Sequence, residues 1–398
     1  MKRIRLGLGI FAALLVLPLL RTSAQNQNPQ EAPAGFDNQT NGFLSQADFD
    51  AARDTFDEID DEEEGIGPTF NDTGCKNCHS DPVSGGGSIV FVTRAGHLVN
   101  GNFVEHPGGS LVQSQIVPRC GPPEAVQRNE ETTRRASIST LGDGFIEAIP
   151  DEAIIAISRL QPPDVRGFVT RVPVLEANNA TRVGRFGWKG QHASLTSFSA
   201  DAYLNEMGIT SPLQPEENTA DGRDVRRCDT NPANPDNDGE DVDQFTAFMR
   251  STKVPPRGLI SNKDDRAGQD LFVGIGCATC HVPVFVTAPA GTAINGGTFT
   301  VPRALGNKTI HPFSDFLLHD VGIPDPIVQN GGPETYDKVR TPPLWGLRKR
   351  TLLMHDGASS SITDAILRHS NQAARASSAF RSLTEQDKQQ LLTFLGSL

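Results

Sequence analysis

Apolar positions fall at helical spacing in a few short windows, separated by long polar or glycine-rich stretches. In FLSQADFDAARDTFDEIDDEEEGIGPTFN, Phe49, Ala52, Phe56 and Ile59 recur three or four residues apart, which predicts a helix. The acidic run 57–64 that follows reads as its solvated end rather than a metal site. DDRAGQDLFVGIG predicts a second short amphipathic helix closed by a glycine turn. Ser361, with Asp364 three residues on, predicts a helix start, and Ile362, Ala365 and Ile366 form its apolar stripe. His369, four residues beyond Ala365, belongs to the same side. Between these windows, 25–42 is polar and expected to be loose, and Pro255, Pro256 and Gly258 mark a boundary. The N-terminus carries Lys2-Arg3-Ile4-Arg5, an apolar run from Leu6 to Leu20, and Thr22-Ser23-Ala24. This is the pattern of a secretory signal over residues 1–24, with an uncleaved anchor as the alternative. The expectation is a periplasmic or otherwise exported protein with no membrane span in its mature form.

The 398 residues have room for two domains, and 37% apolar with 21% charged residues describes a globular chain. Gly 38 and Pro 28 against 6% aromatic predict modest cores among irregular segments. A net charge of −12 argues against nucleic acid or an anionic membrane as partner. A basic redox protein or a small-molecule electron donor matches it better.

Four of the six cysteines lie in two copies of one pattern, Cys75-Lys-Asn-Cys78-His79 and Cys277-Ala-Thr-Cys280-His281, each behind a helix and a glycine turn. Zinc would need both pairs to converge and leaves the two histidines unexplained. A redox dithiol needs a strand before the motif and a helix after it, where this chain has Gly, Asn and Asp. Covalent haem uses every residue of the pattern: two thiols for the vinyl groups, one imidazole for the iron. Two c-type haems are therefore expected, with His79 and His281 as iron ligands. Cys120 and Cys228 remain, and in an exported chain they are expected to pair, the alternative being two buried thiols. CDTNPANPDNDGEDVDQF supplies Asp229, Asp236, Asp238, Asp241 and Asp243 as candidate calcium ligands, but lacks the bidentate Glu of an EF-hand and reads better as a solvated loop.

Several longer phrases resemble the di-haem oxidoreductases called putative peroxidases, relatives of bacterial di-haem cytochrome c peroxidases. They are CKNCHSDPVSGGGS, LGDGFIEAIPDEAI, GRFGWKGQHASLTSF, CATCH, HPFSDFLLHDVG and RTPPLWGLRKRTLLMHDGASSSITDAILRH. The resemblance implies a mainly α chain of two cytochrome c-like helical domains with long irregular loops, 43–255 and 262–398, facing each other with one haem each. It also implies a second ligand for the second iron after the HDG phrase. Relatives have methionine at that distance, whereas this chain has His369, so His281/His369 ligation is expected, with a lowered potential. Met354 and His355 compete for the role. For the first iron, His97 is the candidate displaceable ligand and His106 its alternative. Where relatives carry a catalytic glutamate, this chain has Thr196; Glu147, supported by His192 and Arg135, is the candidate replacement, its pKa expected to be raised by burial. Trp188 or Trp345 is either an electron relay between haems or a core anchor.

The function expected is that of an exported di-haem oxidoreductase. Its first haem would react with peroxide or another small oxidant, and its second would pass electrons in. The alternatives are a di-haem electron carrier with no substrate site, and an oxidant of a protein partner or thiol.

Overall fold

The computed structural model describes residues 28–398 apart from 230, 232 and 331, so the segment read as an export signal lies outside the described residues. Among those described, the α-helices are α1 (Gln46–Phe56), α2 (Cys75–Cys78), α3 (Asp143–Glu147), α4 (Asp151–Leu160) and α5 (Leu195–Met207). They continue with α6 (Glu240–Ser251), α7 (Asn262–Gly274), α8 (Ile362–Arg368), α9 (Ala374–Ser382) and α10 (Glu385–Leu395).

The predicted helices form where the stripes and caps place them. Ser45 caps α1 by accepting the Asp48 N–H, and Phe49, Ala52 and Phe56 are buried along one face. Ile59 leaves the stripe and is exposed. The helix stops at Phe56 because the acidic run folds on itself: Asp61 Oδ1 accepts the Glu63 and Glu64 N–H groups, an alternative to helical pairing. Phe56 and Phe49 pack at a tilt against Phe248 of α6 at centroid distances of 4.7 and 5.4 Å. In the C-terminal part α7 crosses α10 at Gly268, where a Cβ would come within 2.3 Å of Phe394 Cβ. That close approach lets Phe272 and Phe394 pack at 5.6 Å.

Strand content departs from the mainly α expectation, with 32% of residues in helix and 17% in strand. Most of the sheets are two-stranded, and the largest is built on Phe91–Val99. This strand pairs antiparallel with Asn102–Glu105, Leu111–Val112 and Glu131–Ala136. Its hairpin turns at Asn100-Gly101, both at positive φ, with Val99 opposite Asn102. Asn-Gly between strands is a strong two-residue hairpin signal, and it was present in the sequence.

Among the described residues, two apolar cores result. One gathers α1, α3, α5 and α6, and also takes in Phe285, Val301, Leu305, Ile310, Phe316 and Trp345 from beyond the Pro255 boundary. The other gathers α7 to α10 around Phe272, Phe313, Phe380 and Phe394. The Cys120 and Cys228 sulfurs lie at disulfide distance, with Cα atoms 5.4 Å apart. Four of the five aspartates considered for calcium are engaged in hydrogen bonds: Asp236 accepts the Thr210 N–H and O–H, Asp241 accepts Tyr203 Oη–H, and Asp229 and Asp238 accept the Asn231 and Glu240 N–H groups. Among the described residues they do not gather into a cluster of three ligands.

Candidate functional site

Each Cys-x-x-Cys-His motif opens onto its own cavity, and the two motifs do not converge, which removes the four-ligand zinc reading. In the first, α2 is a single turn ending on His79, whose N–H donates to Cys75 O at 3.0 Å. His79 Nδ1 lies 3.2 Å from Gly86 O, which can take the ring's N–H, and the Ile138 backbone also meets the ring beside the cavity. The lining includes Cys75, Cys78, Arg94, Asp143, Gln191, Glu206, Met207 and Met249, and among the described residues no second histidine.

The second cavity repeats the scheme on an opposing pair. His281 Nδ1 lies 3.0 Å from Phe313 O, and His369 Nδ1 lies 2.7 Å from Ala365 O. Each ring therefore keeps a bare Nε2, and the two centroids stand 6.5 Å apart. Two imidazoles that share one metal, each nitrogen about 2 Å from it, have centroids about 6 Å apart, so the residues present fit a haem iron between them. Met354 and His355 line the same cavity. His355 packs edge-on against Trp188 at 5.9 Å instead of facing His281. Beside the motif, His319 donates to Asp315 at 2.8 Å and stands 3.7 Å from Cys280 Sγ. Burial would lower this imidazole, but the Asp315 charge and hydrogen bond outweigh it and carry it up to about 10.

Trp188 and Arg340 line both cavities. The FGWKGQH phrase explains how: Gly187 and Gly190 both adopt positive φ, and Phe186 and His192 pair across the turn they make. This tight loop holds Trp188 between the two sites, its indole N–H donating to Ala136 O at 2.8 Å. Behind it lies a buried ionic cluster. Arg135 forks onto Asp325 through Nε (2.8 Å) and Nη2 (2.9 Å), and Lys189 Nζ approaches the same carboxylate at 3.2 Å. These cations hold Asp325 down at about 2 against the opposing effect of burial. Trp345 is buried in the larger core and lines neither cavity.

The catalytic trio expected from the sequence is not assembled. Arg135 lines the first cavity, but its guanidinium is committed to Asp325 and Gln329. His192 bonds Asp201 at 3.0 Å, stacks on Phe198, and does not line the cavity. Glu147 is fully buried behind it, paired with Arg250 at 2.7 Å and accepting the Leu195 N–H at the start of α5. Burial acts to raise its pKa, yet Arg250 and the surrounding donors outweigh it and hold the carboxyl below the ordinary value, the reverse of the expectation. Thr196 sits beside this pair, 3.4 Å from Arg250 Nη2.

His97 and His106 are also absent from the cavity. Val92 and Arg94 face it from the strand Phe91–Val99, so the alternation of strand side chains sends His97 to the other face. His106 is buried among Glu124, Glu130 and Asp221. The carboxyls that do line the cavity were missed: Asp72, Asp143 and Glu206. Burial pushes Asp143 up to about 8 against the pull of Arg340, and also raises Glu206 against Arg94 and Asn71. Asp143 lies in the quoted LGDGFIEAIP phrase, one helical turn before Glu147.

A family model described as di-haem oxidoreductase, putative peroxidase, matches residues 124–398. The chain belongs to this family. The matched span includes the second motif and most of the helices, while the first motif precedes it. Membership brings two haems, with peroxide or another oxidant and redox partners as the general setting. No curated protein matches the chain. Among solved structures, the di-haem peroxidase BthA from Burkholderia thailandensis is 15% identical, covering 93% of this chain and 94% of its own, with a TM-score of 0.42. A MauG-like protein associated with microbial copper homeostasis is 16% identical over 97% and 95%, TM-score 0.41. Kuenenia stuttgartiensis hydrazine synthase is 14% identical over the full length of both chains, TM-score 0.40.

Proposed function

We propose that the protein is an exported di-haem c-type oxidoreductase with peroxidase-like chemistry, the first cavity reducing peroxide or a small oxidant and the second accepting electrons from a donor. One observation carries the reading: an imidazole opposes His281 in the second cavity, while among the described residues no second imidazole lines the first. Haem would be held by Cys75, Cys78 and His79 in one and by Cys277, Cys280, His281 and His369 in the other. When bound, it supplies electron storage and an iron at which an oxidant can be reduced.

The chain's own groups supply the rest. Hydrogen bonds at Nδ1 turn the Nε2 atoms of His281 and His369 inward. Asp143, kept protonated at neutral pH by burial, is the proton donor of the first cavity, in place of Glu147. Glu206 is the second carboxyl available there. Trp188, in contact with both cavities, lies on the path between them. The Cys120–Cys228 bond and the leader suit an oxidising compartment outside the cytoplasm. A basic redox protein is the donor that the net charge favours.

Carbon monoxide added to the reduced protein tests the reading. Binding at one haem of two is expected; binding at neither refutes it. The second reading, a pure electron carrier, draws on Met207 and Met249, which line the first cavity and would have to supply a sulfur to close that iron.

A further inference from the structure

Away from both cavities, three stretches of chain bring ligand atoms together. His106 Nε2 lies 2.9 Å from Asp221 Oδ1 and 4.0 Å from Glu124 Oε1, and all three atoms lie within 4.8 Å of one another. On the opposite ring nitrogen, both oxygens of Glu130 stand 2.9 Å from Nδ1. With Nδ1–H donated to Glu130, Nε2 is the ring atom that a cation between Asp221 and Glu124 would take. Carboxylates orient metal-binding histidines in this way.

Charge gives an independent reason for a cation. The side chains of Glu124, Glu130 and Asp221 are 0%, 1% and 27% exposed around a fully buried imidazole. Three carboxyls thus face one imidazole; their other partners are the backbone N–H groups of Gln113, Ala125, Gln127 and Asp221, and among the described residues no Lys or Arg pairs with any of the three. Arg223, on the neighbouring hairpin, is turned to the Cys120 and Pro122 carbonyls. Gly108 keeps the approach clear, since a Cβ there would stand 3.1 Å from Glu124 Oε1.

We infer a divalent-metal site with His106 Nε2, Glu124 Oε1 and Asp221 Oδ1 as ligands and Glu130 as the positioning residue. One imidazole and two carboxylate oxygens suit a zinc-class ion with a fourth position for water; calcium prefers six to eight oxygens. The ion would tie the sheet at His106 to the hairpin after Thr219, across the stretch that Cys120 and Cys228 bracket.

The test titrates chelator-treated holoprotein with Zn²⁺, read by calorimetry, by metal analysis beside the iron, and by X-ray absorption at the zinc edge. One zinc per chain is expected, with a single imidazole among oxygen ligands. Affinity should fall about 10-fold or more in Glu130→Gln, and zinc binding should be lost in His106→Gln. Because a buried substitution can impair folding, Asp221→Asn, at the partly exposed ligand, must lose zinc while retaining both haems. No uptake by the wild-type protein overturns the site and leaves the cluster as a set of hydrogen bonds alone. Equal uptake by wild type and Asp221→Asn also overturns it.

Discussion

The two cavities start from the same pentapeptide and the same orientation of its histidine, then diverge on the side facing that ring. In one, α8 brings His369 to within 6.5 Å of His281. In the other, the lining is Arg94, Gln191, buried carboxyls and thioethers. A second strong ligand makes a site that exchanges electrons with little rearrangement; its absence makes one that small molecules can enter. On the proposed reading the motif would serve attachment, and the opposing wall would decide use.

Four experiments press on this contrast. The largest effect is expected from Cys75→Ser with Cys78→Ser: one haem of two lost by mass spectrometry, and peroxide turnover abolished while the second haem's spectrum persists. Loss of both haems would mean that the sites are not independent. His369→Ala should turn the second haem high-spin and make it bind carbon monoxide, so that the cavities become alike; an unchanged spectrum would assign the ligand elsewhere. Asp143→Asn should slow peroxide reduction by about 10²–10⁴-fold, the range for loss of a general acid. Wild-type activity should fall as pH rises through about 8, because the raised carboxyl is protonated below that value and loses its proton above it. The variant's profile should lack that limb. For Glu147→Gln the expectation is a cost of about 3–5 kcal/mol in stability from breaking a buried pair, with turnover per folded molecule nearly unchanged. Denaturant melts beside kinetics separate the two, and a loss of turnover without loss of stability would restore Glu147 to the chemistry.

Local signals proved sound where one element decides the outcome. The Phe49–Ala52–Phe56 stripe and the Ser361 cap each act within a few residues, and both were readable. Errors arose where a partner lies far along the chain. Arg250, 103 residues from Glu147, reverses the carboxyl's expected shift. Nearness in sequence to Cys78 made His97 a ligand candidate, but strand parity sends it to the wrong face. The hairpin that the strand Phe91–Val99 enters is legible in Asn100-Gly101, a signal independent of the haem motifs on which the mainly helical expectation rests.

The larger core has a practical consequence for anyone wishing to cut the chain near Pro255. Phe285, Leu305, Ile310 and Phe316 come from the far side of that point, yet fill the interior around the first motif. An excised N-terminal fragment would be born with a hole in its middle, prone to clump and unfit for maturation. Reconstitution would need both pieces produced together, each serving as the other's scaffold.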